Sequence, residues 1–476
     1  MSSQPPDHAS THLSGMGLML TAIILGGIMP VMDSTIVSIG LQTLIASFHT
    51  TAATIQWVTT SYLLAMAVAV PVVGWAQARF GGRPLWIAGI ATFTAGSILC
   101  SLAWSVGALI AFRAPQGFAA GLLMPLMQTL GMQEAKRQGI TTLGSLMSTL
   151  SLPIAIGPIL GPVLGGAVLN WASWHWLFLI NVPIGVVALI VAIPAFHDER
   201  PDPGQRSSLD VVGFLSVSGG LATLLLGLTN IAREDGLAHP DVLVPLATGV
   251  ALLIFFVAWP RSHDPRRTLI DITLLRVRSV VSASSALFLV GAALYAGQFL
   301  LPLYWQDLRG QSVLDAALLL VPQGVGSLLS RIVAGRLTDR FGGRTIAVLG
   351  FLLTAATTLP FCFAGTQTGN LSLSGILFLR GLALGVLFIP VMTVAYLDID
   401  GPSIPHASIL TRVSQQVGAS VGTAVAAVVL ESSVRSHQLS AEQSFHAAFT
   451  ATVVITLLGA VLSLWLPGRT AATPSS

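Results

Sequence analysis

The chain has 476 residues, of which 53% are hydrophobic and 9% are charged, and its formal net charge is +3. Because about a quarter of the residues in a soluble globular protein are charged, this composition excludes a soluble globule and predicts a protein that lies in a lipid bilayer. The net charge is small and the basic residues lie in short turns, so binding to nucleic acid is not predicted.

Apolar runs of bilayer length recur along the whole chain. Residues 1–15 are polar and are predicted to be a tail. Six apolar runs lie within residues 16–197, two within residues 198–279 and six within residues 280–467, and residues 468–476 form a second tail. We therefore predict an all-α polytopic membrane protein with fourteen transmembrane helices, namely two six-helix bundles joined by a linker that contains two additional helices. The linker ends in LIDITLLRVR, which suits either a short interfacial helix or a plain connection.

The basic residues are distributed unevenly between the two sides of this arrangement. Of the 22 lysines and arginines, about 16 lie on the side of both termini and about three lie on the other side. Because positively charged loops remain in the cytoplasm, both termini are predicted to be cytoplasmic.

In chain order, the first span contains the most informative residue, Asp33. It is the only carboxylate that the predicted spans place well inside a transmembrane helix. A charged side chain there costs about 2.5–3.5 kcal/mol on insertion scales, and burial favours the neutral form of a carboxyl. Asp33 is therefore a candidate proton carrier. The alternative is a structural acid that hydrogen-bonds Thr35 or a neighbouring helix.

The turn after the second span occurs twice. Residues 74–83 read GWAQARFGGR, and residues 335–344 read GRLTDRFGGR. Such recurrence indicates an internal duplication, and glycines beside arginines suit a tight cytoplasmic turn, although a plain basic loop is the alternative. The second copy carries an acid, Asp339, and we interpret Gln77 as the residue in its place in the first copy.

The fourth span places Arg113 among apolar residues, with Gln116 and Gly117 after it. A guanidinium stays charged in nearly any environment, so Arg113 needs a partner inside the bundle. It is either a coupling residue or a fixed structural cross-link. The twelfth span has a similar but more loosely spaced arrangement around Arg380, which we interpret as a structural or secondary residue.

The fifth span contains IAIGPILGPVLGG, with glycines at every fourth position. Glycines on one helix face allow two backbones to approach closely, and prolines bend the helix because they lack a backbone donor. The residues of this motif are Gly157, Pro158, Gly161, Pro162, Gly165 and Gly166.

A set of soft or aromatic side chains is predicted to face a central cavity, although each could equally face lipid or the core. Methionine and aromatic walls can repack around different ligands. The candidates are Met29, Met32, Gln56, Trp57, Tyr62, Gln116, Tyr295, Gln298 and Phe299. No nucleotide-binding loop or H-E-x-x-H pattern is present in the sequence, and residues 418–422, GASVG, match G-x-S-x-G only inside the thirteenth apolar span, so neither ATP drive nor an enzyme is predicted. No metal or organic cofactor is predicted either.

These motifs resemble those of the major facilitator superfamily. Its loop signature between the second and third spans is G-x-L-[AS]-D-R-x-G-R, which residues 335–344 follow closely and residues 74–83 follow in part. Residues 31–44, VMDSTIVSIGLQTL, resemble L-D-x-T-I-V-N-x-A-L-P, with Ser38 and Gln42 where the family has Asn and Pro.

The other two motifs narrow the resemblance. The fourth span resembles the family's R-x-x-x-G motif, and the fifth span resembles the antiporter signature G-x-x-x-G-P-x-x-G-G. With the arrangement of six, two and six spans, the chain is similar over nearly its whole length to the fourteen-span drug:proton antiporter family, the EmrB-like and QacA-like multidrug exporters.

The resemblance implies a major facilitator fold and a proton-coupled exporter of lipophilic or amphiphilic drugs or metabolites that works by alternating access. It implies that Asp33 and Arg113 couple transport to protons and that the duplicated loops form a cytoplasmic gate. The gate residues are then Gly74, Arg79, Gly81, Arg83, Gly335, Asp339, Arg340, Gly342 and Arg344.

The resemblance also implies a place and partners: the bacterial cytoplasmic membrane, a monomer, protons as the coupling ion, a role in antibiotic resistance, and a periplasmic adaptor protein as an optional partner. Three alternatives remain open from the sequence. They are a dedicated exporter of one endogenous metabolite, a proton-coupled importer, and a membrane receptor that transports nothing.

Overall fold

All regular secondary structure in the described part of the chain is helical. A computed structural model describes residues 8–50, 52–138, 143–196, 210–231, 239–258, 272–400, 403–435 and 440–468. The helices of the first half are α1 (His8–Phe48), α2 (Ala52–Ala69), α3 (Val73–Phe80), α4 (Gly82–Ser101), α5 (Val106–Arg137), α6 (Leu143–Leu150), α7 (Leu152–Trp171), α8 (Trp176–Leu179) and α9 (Asn181–Ala195).

The middle of the chain contains α10 (Val211–Ile231) and α11 (Pro240–Ala258). The helices of the second half are α12 (Arg278–Leu303), α13 (Val313–Phe341), α14 (Gly343–Thr358), α15 (Asn370–Ala395), α16 (Ile404–Arg435) and α17 (Ala441–Ser463). Short 3-10 turns lie at Val70–Val72, Ile272–Arg276 and Leu359–Cys362, and a π-helical turn lies at Tyr304–Leu308.

Eleven helical stretches among the described residues are long and apolar enough to cross a membrane, and two shorter apolar stretches lie at Val211–Gly227 and Pro240–Phe256. The prediction of an all-α protein with many membrane-spanning helices is confirmed. The count of fourteen spans stays a prediction.

Two boundaries differ from the prediction. Residues 8–15, predicted to be part of a tail, form the first turns of α1, and the remaining residues of both predicted tails lie outside the described residues. The described part of LIDITLLRVR forms the 3-10 turn Ile272–Arg276 and leads directly into α12, and its position at the membrane interface stays a prediction.

Proline interrupts two of the predicted spans. Pro71 lies in the turn between α2 and α3, and Pro153 lies in the first turn of α7, directly after α6. Proline has no backbone N–H and cannot continue a helical hydrogen-bond ladder, but it is tolerated in the first turn of a helix. The second and fifth predicted spans are therefore each built from two helical segments.

The same helix pairs recur in the two halves. In the first half α1 packs against α7 and α2 against α5, and in the second half α12 packs against α16 and α13 against α15. Glycine permits the close approach in both. A Cβ atom added to Gly117 of α5 would lie 2.2 Å from the Tyr62 carbonyl oxygen of α2, and one added to Gly381 of α15 would lie 2.0 Å from the Gln323 carbonyl oxygen of α13.

The two additional helices lie beside the seam between the halves. Helices α10 and α11 pack against each other, and α10 also contacts α2 and α16. The Ser218 hydroxyl of α10 donates to the Val68 carbonyl of α2 at 3.0 Å, and Leu221 and Leu225 of α10 share a buried cluster with Ala67 of α2 and Ile409 of α16. Helix α10 therefore bridges the first and second halves.

The halves meet at the end of the bundle that carries the turns at Gly81 and Gly342, which we call the basic end. Hydrogen bonds across the halves at this end join Ser145 with Asp339, Ser148 with the Arg331 carbonyl, Lys136 with the Ile399 carbonyl, Gln128 with Tyr396, and Ser408 with the Pro125 carbonyl. The structure is therefore closed at the basic end.

Candidate functional site

The side chain of Asp33 is fully buried in α1, and three donors converge on it. Arg113 Nη1 of α5 donates to Oδ2 at 2.5 Å, Gln116 Nε2 of α5 donates to Oδ1 at 3.1 Å, and Asn181 Nδ2 of α9 donates to Oδ1 at 3.0 Å. Three helices of the first half thus meet at one carboxylate, and the two residues predicted to couple transport to protons form a direct ion pair.

Arg113 is also fully buried and has further acceptors. Its Nη1 donates to Gln116 Oε1 at 2.7 Å, and its Nε donates to the Val58 carbonyl of α2 at 3.2 Å. The guanidinium carbon lies 4.0 Å from the centroid of the Tyr62 ring, a cation–π contact. These contacts replace part of the hydration that a charged group loses on burial.

Gln116 connects the ion pair to α4. Its Nε2 donates to Ser97 Oγ at 2.7 Å, and its Oε1 accepts from Cys100 Sγ at 3.5 Å. Gln116 was predicted to line the cavity, but its side chain is fully buried inside this network. Ser97 and Asn181 were not predicted to be members of the network. Their signal was a polar side chain in an apolar span, which is weak because such residues also occur as plain packing residues.

All three groups that contact the Asp33 carboxylate are donors, so the arrangement accommodates the ionised acid. Oδ1 accepts two hydrogen bonds and Oδ2 accepts one, so a proton on Oδ1 has to displace or turn a donor, whereas Oδ2 keeps one free lone-pair site. Arg113 Nη2 and Asn181 Oδ1 lack hydrogen-bond partners among the described residues. The network therefore holds one spare donor and one spare acceptor that are available for such a rearrangement.

The glycine motif of α7 packs against the helix that carries Asp33. A Cβ atom at Gly157 would lie 2.3 Å from Val31 Cγ1, and one at Gly161 would lie 1.9 Å from Thr35 Oγ1. The Thr35 hydroxyl donates to the Gly157 carbonyl at 3.3 Å. Gly165 is in ordinary contact with Ile36, and Gly166 has open space around it. The side chains of Pro158 and Pro162 lie outside the described residues.

Asp339, at the end of α13, binds the start of α6 across the two halves. Its Oδ2 accepts from the Ser145 backbone N–H at 3.2 Å and from the Ser145 hydroxyl at 3.1 Å. A carboxylate at a helix N-terminus satisfies a free backbone donor and interacts favourably with the helix dipole. Asp339 is therefore placed to hold the basic end closed.

Our interpretation of Gln77 as the counterpart of Asp339 is wrong. The two copies share the turn glycines Gly81 and Gly342, and counting back from these places Ala78 opposite Asp339. Gln77 instead donates to Gln133 Oε1 at 2.8 Å within the first half.

The other predicted gate residues lie at the basic end as expected from the fold. Gly81 and Gly342 have φ values of 89° and 86°, which side chains rarely adopt, and both connect two helices. Arg83 Nη2 donates to the Ile193 carbonyl at 2.9 Å, and the Arg340 guanidinium lies 5.2 Å from the Phe341 ring. Gly74 and Gly335 are buried, whereas Arg79 and Arg344 are exposed.

The predicted cavity residues do not form one surface. Met29, Met32 and Tyr62 are fully buried between helices, so in this conformation they are packing residues. The other described candidates, Trp57, Tyr295, Gln298 and Phe299, are exposed or half-buried. The side chain of Gln56 lies outside the described residues.

Among the described residues, the side-chain partners of Arg380 in α15 are neutral groups and not a carboxylate. Its Nε donates to Thr358 Oγ1 at 3.0 Å, and its Nη1 donates to Gln323 Oε1 at 2.8 Å. The glycines that follow it, Gly381 and Gly385, pack on α13 as Gly117 and Gly121 pack on α2. Gly381 therefore corresponds to Gly117, and Arg380, directly before Gly381, corresponds to Gln116 and not to Arg113. This one-to-one match explains why the spacing between Arg380 and its glycines differs from that after Arg113.

Two other arginines, which were not predicted as site residues, lie inside spanning helices. Arg331 of α13 is buried, donates to the Ser151 carbonyl at 3.3 Å and lies 5.4 Å from the Phe388 ring. Arg412 of α16 is half-buried and donates to Gln415 Oε1 at 3.1 Å. Their signal was a charged side chain in an apolar span, the same signal that identified Arg113.

Comparisons with known proteins agree with the fold. The family model described as Major Facilitator Superfamily matches residues 22–423. A "Multidrug resistance protein B homolog" of Mycobacterium tuberculosis is 36% identical over 87% of this chain and 76% of its own length. A "Putative multidrug resistance protein MdtD" of Serratia proteamaculans is 29% identical over 92% of this chain and 90% of its own length.

A solved structure of the proton:xylose symporter XylE superimposes with a TM-score of 0.65, at 14% identity, over 94% of this chain and 95% of that one. At that identity the likeness concerns the fold alone. The matching family and the relatives are transporters and not enzymes. This multi-pass membrane protein is therefore a transporter that belongs to the major facilitator superfamily.

Proposed function

We propose that this transporter is a proton-coupled antiporter that exports lipophilic or amphiphilic drugs or metabolites by alternating access. The observation that carries the proposal is the buried Asp33 carboxylate, held by Arg113, Gln116 and Asn181 within the spanning helices. Ionisable residues inside a membrane protein are costly and mark proton and substrate pathways.

The contacts of Asp33 suggest how one proton changes the structure. Protonation removes the counter-charge of Arg113 and turns one acceptor site of the carboxylate into a donor. Arg113 lies on α5, the helix whose far end carries Lys136 and its bond to the Ile399 carbonyl of the second half. A shift of α5 relative to α1 therefore changes the contacts that close the basic end.

Three further observations support export by a member of the fourteen-span drug:proton antiporter family. The glycine motif of α7 packs on α1 beside Asp33, at Val31 and Thr35. Helices α10 and α11 pack against each other, and α10 contacts α2 of the first half and α16 of the second. The relatives with the names quoted above are described as multidrug resistance proteins, one of them a putative one.

We further propose that the transporter acts as a monomer in the bacterial cytoplasmic membrane, with both termini cytoplasmic and with a periplasmic adaptor as an optional partner. The excess of arginines at the basic end supports this orientation. The basic end then faces the cytoplasm, and the structure is closed on that side.

The test begins with an accumulation and resistance screen against a broad compound panel in a strain that lacks its main efflux pumps. Export of a compound found there is then measured in energised vesicles. We expect that an uncoupler abolishes export and that ATP depletion at a clamped proton gradient does not. Export that survives the uncoupler would refute proton coupling. Uptake in place of export would indicate an importer, and activity towards one compound alone would indicate a dedicated exporter.

A further inference from the structure

The Asn181 amide presents a donor to the Asp33 carboxylate and carries an acceptor that is not used. Asn181 is the first residue of α9, and its side chain is fully buried. Its Nδ2 donates to Asp33 Oδ1 at 3.0 Å, whereas its Oδ1 has no hydrogen-bond partner among the residues that the structure describes. A buried acceptor without a partner costs free energy, so its presence beside a carboxylate in the membrane needs a reason.

The other two side chains that hydrogen-bond Asp33 have no acceptor to spare. Arg113 has donors alone. Gln116 has an acceptor oxygen, but this Oε1 already accepts from Arg113 Nη1 at 2.7 Å and from Cys100 Sγ at 3.5 Å. Of the three side chains that bind the carboxylate, Asn181 is therefore the one that can accept a hydrogen bond from a protonated Asp33.

We propose that Asn181 is a positioning residue that responds to the proton on Asp33: its amide donates to the ionised carboxylate and, after half a turn, accepts from the protonated acid. The last side-chain torsion of asparagine is broad and roughly two-fold, and the amide oxygen and nitrogen are nearly the same in shape. Half a turn therefore exchanges the two atoms with little change in packing. The inference rests on the proposed proton coupling and adds the residue that changes with the proton.

The protonation step involves one new covalent bond. A proton from solvent forms an O–H bond with Asp33 Oδ1, Asn181 Nδ2 leaves that lone pair, and Asn181 Oδ1 accepts the new O–H. Asp33 Oδ2 becomes the carbonyl oxygen and keeps the hydrogen bond from Arg113 Nη1. Oδ2 has a free lone-pair site, but it is the less suitable place for the proton, because the side chain that contacts it is Arg113, which has no acceptor.

The three helices that meet at Asp33 respond differently to this step. The Asn181 bond attaches α9 to α1 in both protonation states, whereas the charge pair with Arg113 attaches α5 to α1 in the ionised state alone. Arg113 keeps its bond from Nε to the Val58 carbonyl of α2. Helix α1 packs against α9, and α5 packs against α2. Protonation therefore weakens the contact between α1 and α5 and leaves these two helix pairs intact.

Asp33 is the group in this network that an acidic buffer protonates. The other titratable side chains around it, among the described residues, are Arg113, Tyr62 of α2 with its ring 4.0 Å from the Arg113 guanidinium, and Cys100 of α4 against Gln116. Arginine, tyrosine and cysteine side chains ordinarily change charge above neutral pH. A change from neutral to acidic buffer therefore reports on Asp33 within this network.

Infrared difference spectroscopy on the full-length protein in lipid bilayers tests the inference, with the proton as the ligand. The change from neutral to acidic buffer should produce the C=O band of a protonated carboxyl that D33N lacks. In the same pH step, we expect a side-chain amide C=O band of asparagine to shift to lower frequency, because Asn181 Oδ1 gains a hydrogen bond. Isotope-labelled asparagine identifies this band in the unsubstituted protein, so the shift can be measured even if a variant at Asn181 does not fold.

A substitution at Asn181 separates this response from a structural role. N181L has a side chain of similar shape and removes both the donor and the acceptor. We expect it to lose the amide shift and to move the Asp33 carboxyl band to higher frequency, because the acid's O–H then has no acceptor. The matched control N230L, which removes a bond from Asn230 Nδ2 to the Asp241 carbonyl, should leave both bands unchanged.

Transport of the compound found in the accumulation screen gives a second readout. We expect N181L to slow gradient-driven export at least about fivefold, the size of one buried donor left without an acceptor. N230L should export at the unsubstituted rate. An equal loss of export in the two variants, or none in N181L, would contradict the inference.

The inference and the proposed proton coupling can fail separately. An Asp33 carboxyl band that appears without a shift of the asparagine band, or that N181L leaves at the same frequency, would refute the inference and leave proton coupling intact. A shift of the asparagine band together with export that does not depend on a proton gradient would support the inference and refute proton-coupled export. Absence of any carboxyl band that D33N removes would refute both.

Discussion

The two halves have the same helix packing but different charges. In the first half, Arg113 and Gln116 of α5 surround a carboxylate from α1. In the second half, Arg380 lies in the position of Gln116 with neutral partners, and α12, the counterpart of α1, contains no acidic residue. The duplicated architecture therefore holds a titratable group in one half and fixed positive charges in the other. Under the proposed function, proton coupling therefore belongs to the first half.

The largest expected effect is a difference in transport between a variant of the first half and a variant of the second half. We expect R113Q to abolish uphill export, because it removes the charge that pairs with Asp33. R380Q should retain most export, because neutral groups surround Arg380. Both are measured as gradient-driven transport in vesicles at equal expression. Equal losses in the two variants would contradict the asymmetry.

The second prediction compares the α2–α5 contact of the first half with the α13–α15 contact of the second half. We expect G117A and G381A to destabilise the protein by similar amounts, about 1–3 kcal/mol each, because each new Cβ would lie within 2.2 Å of a carbonyl oxygen. The matched control is G166A, whose Cβ would have nothing within 4 Å. Thermal unfolding in detergent measures all three. A loss confined to one half would show that the packing is not equivalent.

A smaller effect is expected at the duplicated loops. D339A removes both bonds to Ser145 and should destabilise the closed basic end by about 1 kcal/mol, the size of a helix-cap contact. D339N keeps one acceptor oxygen and should have a smaller effect, and Q77A, which removes a bond within the first half, should leave closure unchanged. Labelling of a single cysteine placed at the basic end measures its accessibility. Equal labelling in D339A and the unsubstituted protein would remove Asp339 from the gate.

The sequence was sufficient to predict the many membrane-spanning helices and the duplication, and it singled out Asp33 and Arg113, which form an ion pair in the structure. Charges stand out in apolar spans, and each such charge requires a partner. The faces of the helices could not be predicted, because a helix that is apolar all round gives no periodic signal for its orientation. For that reason Met29 and Met32 were assigned to a cavity, whereas the structure packs them between helices.

The remaining members of the site depend on tertiary packing. Ser97 and Asn181 join the Asp33 network because α4 and α9 pack beside α1 and α5. Neutral polar residues in spans are common, and their partners are set by contacts between segments that are distant in the chain. The sequence alone therefore indicates the charges but not the network around them.

The role of Asp33 can be tested most directly by proton release on addition of a substrate to the purified, reconstituted protein. Asparagine has nearly the shape of aspartate and can still accept from Arg113, and Arg380 shows that this architecture holds a buried arginine without an acid. Thermal unfolding should confirm that D33N is folded. We predict that the unsubstituted protein releases protons when substrate binds and that D33N binds a substrate without releasing any. A folded D33N variant that releases protons and transports at the unsubstituted rate would contradict the account.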